Sequence, residues 1–257
     1  MAKPVIGMQL HSVRNIAEID LLDTLEKVAD LGYEAVEFSG YYHTPAEQLK
    51  TKLDELGFKL VSSHIPLSYD KPVKMEKDLN REIAYAQKLG LNYLIVPWSP
   101  LPAKPDIHDV KLLADLFLAR GQQVKAAGGQ LRFGYHNHEF DFKQVEGRSV
   151  LDHLAELVPQ ELLVFELDLG WIYLAGGNPA AELRKLAGRV PLLHFKDFTT
   201  GRMDAEVGEG KVPFDEVLDI AEECGVEAFF VEQEQYSSDS LESARISMDF
   251  FRRSGFG

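Results

Sequence analysis

One alternation, repeated eight times, constrains the fold of this chain more than any other feature of its sequence. Each unit has a short apolar run rich in β-branched or aromatic residues, followed by a longer segment with apolar residues at three-to-four spacing. The 257 residues give about 32 residues per unit, the size of a strand, a helix and their loops. The predicted strands are Val5–Leu10, Tyr33–Phe38, Phe58–Ser63, Asn92–Pro97, Leu131–His138, Leu163–Asp168, Pro191–Lys196 and Ala228–Gln233.

The segments between these strands have the pattern of amphipathic helices. In the first segment, apolar residues recur every three positions with charged residues between them. Glycines that follow a last apolar residue indicate left-handed helix C-caps. The apolar residues of the first segment are Ile16, Ile19, Leu22, Leu25 and Val28, and the glycines are Gly32, Gly57, Gly90 and Gly225.

Strict alternation of strands and helices predicts a parallel sheet with helices on its faces. The sheet is either a closed eight-stranded barrel or a doubly wound open sheet. The number eight favours the barrel, and so does the run Gly7–His11 after the first strand, where an open nucleotide-binding sheet carries Gly-x-Gly-x-x-Gly. We therefore predict an α/β fold with a single (β/α)₈ TIM barrel domain over residues 1–257.

Net charge and cysteine content limit the classes of binding partner and the cellular location that we expect. With 27 Lys+Arg and 41 Asp+Glu the net charge is −14, which argues against a role in binding nucleic-acid phosphates. The single cysteine, Cys224, cannot form an internal disulfide and is expected to be buried. No basic segment precedes the first short apolar run, so we expect no signal peptide and no membrane partner. We predict a cytoplasmic protein, unless an upstream leader was removed, and leave homo-oligomerisation open.

Polar residues in the predicted strands share one phase. In a barrel, alternate residues point inward, and a charged side chain facing the helices would be buried without water. Polar strand residues should therefore point inward near the C-terminal mouth of the barrel. The residues in this phase are Gln9, Glu37, His64, His136, His138, Glu166, Asp168, His194, Lys196, Glu232 and Glu234, whereas Asp197 has the outward phase and is expected to anchor the following loop.

Four of these residues stand on four successive strand ends. His136, Asp168, His194 and Glu232 are separated by 32, 26 and 38 residues, about one strand–helix unit each. Two imidazoles and two carboxylates make a mixed nitrogen and oxygen site for one divalent ion such as Mn²⁺, Zn²⁺, Co²⁺ or Fe²⁺, with Mg²⁺ also allowed. The alternative is that each residue belongs to a structural hydrogen-bond network.

The chain resembles the xylose isomerase-like TIM barrels, a superfamily of sugar phosphate isomerases and epimerases that also holds inosose dehydratase, hydroxypyruvate isomerase, tagatose epimerase and endonuclease IV. The resemblance implies a divalent metal held by Glu, Asp, His and Glu at the ends of strands five to eight. By position these roles fall on His136, Asp168, His194 and Glu232. The segments that carry the resemblance are Gly7–Arg14, Tyr135–Phe140, Leu167–Trp171, His194–Asp197, Gly208–Gly210 and Val231–Glu234.

One position departs from the family pattern. His136 stands where the isomerases usually have Glu, in a branch that carries a Tyr-His-Asn-His motif. The resemblance implies that epimerase-type members pass a proton between two metal-bound carboxylates, of which only Glu232 remains here. A neutral imidazole differs in charge and proton affinity, so epimerisation by two equal carboxylates and tight metal binding stay open. His138 or Glu139 is then the second acid/base group.

The resemblance and these residues predict a metal-dependent isomerase or epimerase acting on a small sugar, keto-sugar or cyclitol. The metal would stabilise the enediolate formed when a proton beside a carbonyl is removed. Glu232 is the predicted base, with His138 second. Lys196 neutralises the developing oxyanion or holds a phosphate or hydroxyl group, or else pairs with Asp168 or Glu166. The predicted substrate-binding residues, each with a structural role as the alternative, are Glu37, His64, Trp171 and Gln9.

Three other functions stay open. The same metal site suits a dehydratase or lyase acting on a keto-sugar or inosose. A phosphodiesterase resembling endonuclease IV is disfavoured by the negative charge and by the lack of a basic stripe. The altered residue on the fifth strand also suits a non-catalytic sugar-binding protein or a subunit of a larger enzyme.

Overall fold

The eight predicted strands form one closed parallel barrel in the computed structural model, which describes residues 3–236 and 239–256. Each strand pairs with the next along the chain, and β8 closes the barrel against β1. The predicted (β/α)₈ barrel is confirmed, and the open sheet is excluded. The strands are β1 (Val5–Gln9), β2 (Ala35–Phe38), β3 (Lys59–His64), β4 (Tyr93–Val96), β5 (Arg132–His136), β6 (Val164–Asp168), β7 (Leu192–Phe195) and β8 (Ala228–Val231).

Ten α-helices accompany the barrel in the described ranges. They are α1 (Arg14–Ala17), α2 (Leu21–Asp30), α3 (Ala46–Leu56), α4 (Pro72–Leu89), α5 (Ile107–Ala126), α6 (Val150–Leu157), α7 (Leu169–Leu174), α8 (Pro179–Lys185), α9 (Asp215–Ile220) and α10 (Ser240–Arg253). Two 3₁₀ helices (Leu10–Val13 and Glu139–Phe142) and two short hairpins lie at or beyond the strand ends. Within the described part of the chain, no helix combines the length and apolarity needed to cross a membrane.

Apolar side chains fill the lower part of the barrel interior and leave the upper part to polar residues. Val164, Leu192 and Phe230 belong to a small buried apolar cluster contributed by several strands. Two residues further along β6 and β7, at the same inward phase, stand Glu166 and His194. The predicted phase of the polar residues therefore corresponds to a change from an apolar lower interior to a polar mouth.

The apolar pattern predicts one continuous first helix, but the structure has two helices there, α1 and α2. α1 ends at Ala17 and α2 begins at Leu21, and Ile19 between them is 84% exposed. The cause is Asp20, whose side chain accepts the backbone N–H of Asp23 at 3.1 Å and caps α2. This capping bond requires a non-helical backbone at Asp20, so it interrupts the apolar periodicity.

Three of the four predicted glycine caps are confirmed. Gly57 and Gly90 cap α3 and α4 with φ values of 74° and 85°, and Gly32 has a left-handed backbone directly after the C-cap residue of α2. Gly225 also has a left-handed backbone, but it lies five residues after the end of α9 and does not cap that helix. Cys224 is buried, as its place on the apolar side of its segment predicts.

Asp197 anchors the loop that follows β7, as its outward phase predicts. Its buried carboxylate accepts the backbone N–H groups of five residues at 2.8–3.0 Å. The donors are Phe198, Gly208, Gly210, Lys211 and Val212. A Cβ atom on Gly210 would lie 2.1 Å from the Asp197 carboxylate, so only glycine fits there.

Replacing Asp197 with alanine will leave these N–H groups without their shared acceptor. Because buried donors that lose a charged acceptor cost about 1–3 kcal/mol each, we expect the free energy of unfolding to fall by at least about 3 kcal/mol. Urea titration measures the loss, and hydrogen exchange will report faster exchange at residues 208–212. Asp219→Ala, at an exposed position on α9, serves as the control. Equal stability of the two variants would contradict the anchoring role.

Candidate metal centre

The four predicted metal ligands come together at the C-terminal mouth of the barrel. His136, Asp168, His194 and Glu232 are all buried, and one ligand atom from each lies within 4.8 Å of the others. His136 Nε2 is 3.9 Å from Asp168 Oδ2, and His194 Nδ1 is 3.0 Å from Glu232 Oε2. The strand-end spacing in the sequence thus corresponds to a single cluster of two imidazoles and two carboxylates.

Only one of the two carboxylate oxygens of Asp168 is hydrogen-bonded among the described residues. Its Oδ1 accepts the backbone N–H of Trp171 at 2.8 Å and caps α7, while the Asn137 side chain accepts the Asp168 backbone N–H at 3.0 Å. The other oxygen, Oδ2, is buried and has no hydrogen-bond partner among the described residues. Burial raises the pKa of Asp168 to about 7, which means that nearby positive charge does not fully compensate a carboxylate here.

This cluster fits a divalent cation. Burial and the neighbouring His194 lower the pKa of His136 to about 3, so its ring is neutral and keeps a lone pair for a ligand. The unpartnered Asp168 Oδ2 faces a ring nitrogen of the same histidine and lacks only a cation. Imidazoles and carboxylates together suit Mn²⁺, Zn²⁺, Co²⁺ or Fe²⁺. Burial opposes charge on His194, but Glu166 and Glu37 raise its pKa well above the usual range, so metal binding at this ring releases a proton.

Glu166 forms the floor of the cluster, a role that was not predicted. Its Oε2 lies 2.7 Å from His64 Nε2, 3.0 Å from His136 Nδ1 and 3.1 Å from His194 Nε2. A carboxylate that accepts the N–H of a ligand imidazole fixes its tautomer and orientation. The sequence signal was present, since Glu166 shares the inward phase of Asp168 two residues earlier.

Glu37 completes the floor from β2. Its carboxylate lies 2.9 Å from His64 Nε2 and 3.2 Å from His194 Nε2. Burial disfavours charge on His64, but the two floor carboxylates outweigh it and raise the pKa of His64 to about 10.

A second group of potential ligands lies lower in the barrel. It consists of His64, His136, Glu166 and His194, whose ligand atoms also lie within 4.8 Å of one another. Its carboxylate oxygen already contacts three imidazoles, whereas the upper group contains the unpartnered Asp168 Oδ2. The upper group is therefore the better cation site.

Lys196 is fully buried beside the cluster. Its ammonium forms ion pairs with Glu234 and, at 3.8 Å, with Glu232, and lies 5.0 Å above the ring of Trp171. Among the described residues neither Asp168 nor Glu166 is its ion-pair partner, so the predicted pairing with them is replaced by pairing with the carboxylates that follow β8. Burial opposes charge on Glu232, but Lys196 and His194 keep the pKa of this carboxyl well below its usual range.

A cavity of about 370 Å³ opens above the cluster, and we call it the metal cavity. Its walls bring together residues that follow six different strands. His11 and Glu234 were not predicted as site residues, although His11 lies just beyond β1 and Glu234 shares the phase of Glu232. The lining residues are His11, Ser39, His64, Pro66, Pro97, Trp98, His136, His138, Glu232 and Glu234.

The other predicted site residues have varied positions. Gln9 is buried, and its side-chain oxygen accepts the N–H of His11 at 2.9 Å, so it caps the 3₁₀ helix after β1. Glu37 lies in the floor, beneath the imidazoles. Trp171, in the first turn of α7, lines a second cavity that also contacts His138.

This barrel and its polar mouth define the class of protein. The sequence pattern of the xylose isomerase-like TIM barrel family matches residues 25–254, and the chain belongs to this family. Members of the family include sugar isomerases, epimerases and dehydratases, and a small carbohydrate is the kind of substrate that the family implies.

Individual relatives are distant. The chain is 27% identical over 190 residues to an inosose dehydratase of Geobacillus kaustophilus, covering 67% of this chain and 60% of that protein. It is 23% identical over 231 residues to a 2-oxo-tetronate isomerase of Haemophilus influenzae, covering 81% of this chain and 85% of that one. A crystal structure described as a sugar phosphate isomerase/epimerase from Parabacteroides distasonis superposes with a TM-score of 0.86 at 26% identity, over 99% of both chains.

Two substitutions test the metal centre directly. Asp168→Asn keeps an oxygen that can cap α7 but removes the charge of this ligand. Glu232→Gln removes the charge of the second carboxylate ligand and keeps the size of its side chain. We expect the purified protein to contain one equivalent of a divalent transition metal by mass spectrometry, and each variant to contain almost none. Glu209→Gln, at an exposed position, is the control. A wild-type protein that takes up no metal after reconstitution would contradict this site.

Glu166→Gln tests the floor. The variant keeps the size of the side chain but loses the charge that holds the two ligand imidazoles. Because such supporting partners contribute about 10–100-fold to metal affinity, we expect a loss of that size in a competition titration with a chelator. A folded variant with unchanged affinity would show that Glu166 does not orient the ligands.

Proposed function

We propose that this protein is a divalent-metal-dependent enzyme that isomerises or epimerises a small sugar, keto-sugar or cyclitol by removing a proton beside a carbonyl. The observation that carries the proposal is the position of Glu232. This anionic carboxylate lines the metal cavity, contacts His194 and lies 3.8 Å from the buried ammonium of Lys196. A base, a fixed positive charge and a cation site are thus concentrated at one wall of a cavity.

The chain's own residues divide the work. His136, Asp168, His194 and Glu232 would hold the metal, which when bound supplies Lewis acidity toward the oxygen atoms of the substrate. Glu232 accepts the proton from the carbon beside the carbonyl. Lys196, whose pKa the neighbouring carboxylates raise in spite of burial, stays protonated and offsets the negative charge that develops on the substrate.

His138 is the second acid/base group. Its Nδ1 is buried without a hydrogen-bond partner in the described part of the chain, and its ring lines the metal cavity. Burial lowers the pKa of His138 to about 4, so at pH 7 its ring is neutral and offers one nitrogen lone pair and one N–H to the substrate. His64, Gln9, Glu37 and Trp171 support the substrate or the walls around it.

Dehydration is the second candidate reaction. The two acid/base groups here, a carboxylate and an imidazole, differ in charge and proton affinity, unlike the paired carboxylates of a symmetric proton exchange. An enzyme that removes a proton at one carbon and a hydroxyl group at the next has use for two unlike groups. The similarity to an inosose dehydratase also supports this candidate.

Proton exchange with solvent tests the proposal and separates the two reactions. Metal-loaded protein is incubated in D₂O with a panel of ketoses, keto-sugars and inososes, and NMR and mass spectrometry follow deuterium gain and loss of water. We expect deuterium at the carbon beside the carbonyl, with or without dehydration. Glu232→Gln should slow the exchange by more than about 100-fold, because it removes a positioned general base and a metal ligand together.

Lys211→Ala, at an exposed position outside the cavity walls, should retain the wild-type rate. Metal-loaded protein that exchanges no proton and releases no water with any member of the panel would contradict catalysis, and would favour a sugar-binding or subunit role.

A further inference from the structure

A second cavity adjoins the metal cavity, and we call it the aromatic cleft. Its volume is about 540 Å³, and His138 belongs to the walls of both cavities. The cleft is built by the segments that follow β5 and β6, at the same mouth of the barrel. Its lining residues are His138, Glu139, Phe140, Phe142, Lys143, Trp171 and Ala175.

The walls of the cleft combine flat rings with unpartnered polar atoms. The ring of His138 stacks on Phe140 at 5.4 Å and 7°, and on Trp171 at 5.5 Å and 29°. His138 Nδ1 and Trp171 Nε1 are both buried, and neither has a hydrogen-bond partner in residues 3–236 and 239–256. Flat apolar faces with a few polar atoms suit a ring that has apolar faces and hydroxyl groups or heteroatoms at its edge.

The charges around the two cavities disfavour a phosphorylated ligand. Three carboxylates line them, Glu139, Glu232 and Glu234. The nearby cations already have oxygen partners. Lys196 pairs with Glu234, Arg202 with Glu139 and His64 with Glu37 and Glu166, while Lys143 donates to the Ala103 carbonyl and Arg14 to the carbonyls of His11 and Glu234. A phosphate would have to displace one of these partners and would face the carboxylates.

The two volumes indicate a ligand with two parts. Each cavity lies within the range of about 300–1,000 Å³ that is typical of a small-molecule site. A single sugar ring that reacts at the metal centre would leave the aromatic cleft to water. The stacked rings contact one another in the protein itself, so the cleft is formed before a ligand arrives.

We infer that the substrate is an uncharged keto-glycoside, whose reacting sugar, bearing the ketone, lies in the metal cavity and whose second ring lies in the aromatic cleft against Trp171 and His138. This inference rests on the proposed function for the position of the reacting sugar. It narrows the small keto-sugar of the proposed function to a two-ring substrate without phosphate.

Calorimetric titration of the metal-loaded protein with paired probes tests this substrate class. The pairs are the methyl and 4-nitrophenyl glycosides of glucose and galactose, as both anomers, which differ only in the second ring, together with glucose 6-phosphate. We expect at least one 4-nitrophenyl glycoside to bind about tenfold or more tightly than its methyl partner, and more tightly than the phosphate. That ratio corresponds to about 1.4 kcal/mol.

Ala175→Trp fills the cleft from its wall and should abolish the difference between the paired probes. Ala127→Trp is a matched control, because both alanines are exposed, end a helix and have nearly the same backbone angles. The inference is overturned if no pair differs in the wild-type protein, if the difference survives in Ala175→Trp, or if the phosphate binds most tightly. Failure of proton exchange in D₂O would remove the proposed function but leave this difference in affinity intact, so the two failures are distinguishable.

Discussion

The arrangement of side chains in the upper half of the barrel depends on compensating the charge of two carboxylates that are buried away from solvent. Glu37 and Glu166 are fully buried, and a buried charge without partners is strongly destabilising. The imidazoles of His64 and His194 contact both of them, and His136 contacts Glu166. These contacts fix the directions of the three rings, and therefore determine which nitrogen atoms point up toward Asp168 and Glu232.

The order of layers in the barrel follows from this constraint. Apolar side chains such as Val164 and Phe230 close the lower interior, the floor carboxylates lie above them, and the candidate ligands lie above the floor. Lys196 then supplies positive charge between the ligand carboxylates and the aromatic rings of the loops. The imidazoles compensate the charge of the floor carboxylates, and Lys196 compensates the charge of Glu232. The reactive groups at the mouth are therefore held by buried contacts.

The sequence predicted the features that depend on local repetition. Strand order, inward phase and the position of polar residues at strand ends all follow from periods that can be counted along the chain, and His136, Asp168, His194 and Glu232 were found in this way. It did not predict which of the inward residues contact one another. Glu37 and His194 are 157 residues apart and meet only because the barrel closes in one register. The break at Asp20 was not predicted because one capping bond outweighs an apolar repeat. The partners of Lys196 were not predicted because they follow β8, a strand whose distance from Lys196 depends on barrel closure.

Asp168 has a structural role that does not depend on the chemistry of the site. One of its oxygens holds the first turn of α7, which contains Trp171, while the other faces the ligand cluster. Loss of the helix cap alone costs about 0.5–2 kcal/mol, whether or not any ion is bound. Stability alone therefore favours an aspartate or asparagine at this position, whichever reaction the site performs. Position 136 has no helix-capping role, so stability constrains it through its contact with Glu166 instead.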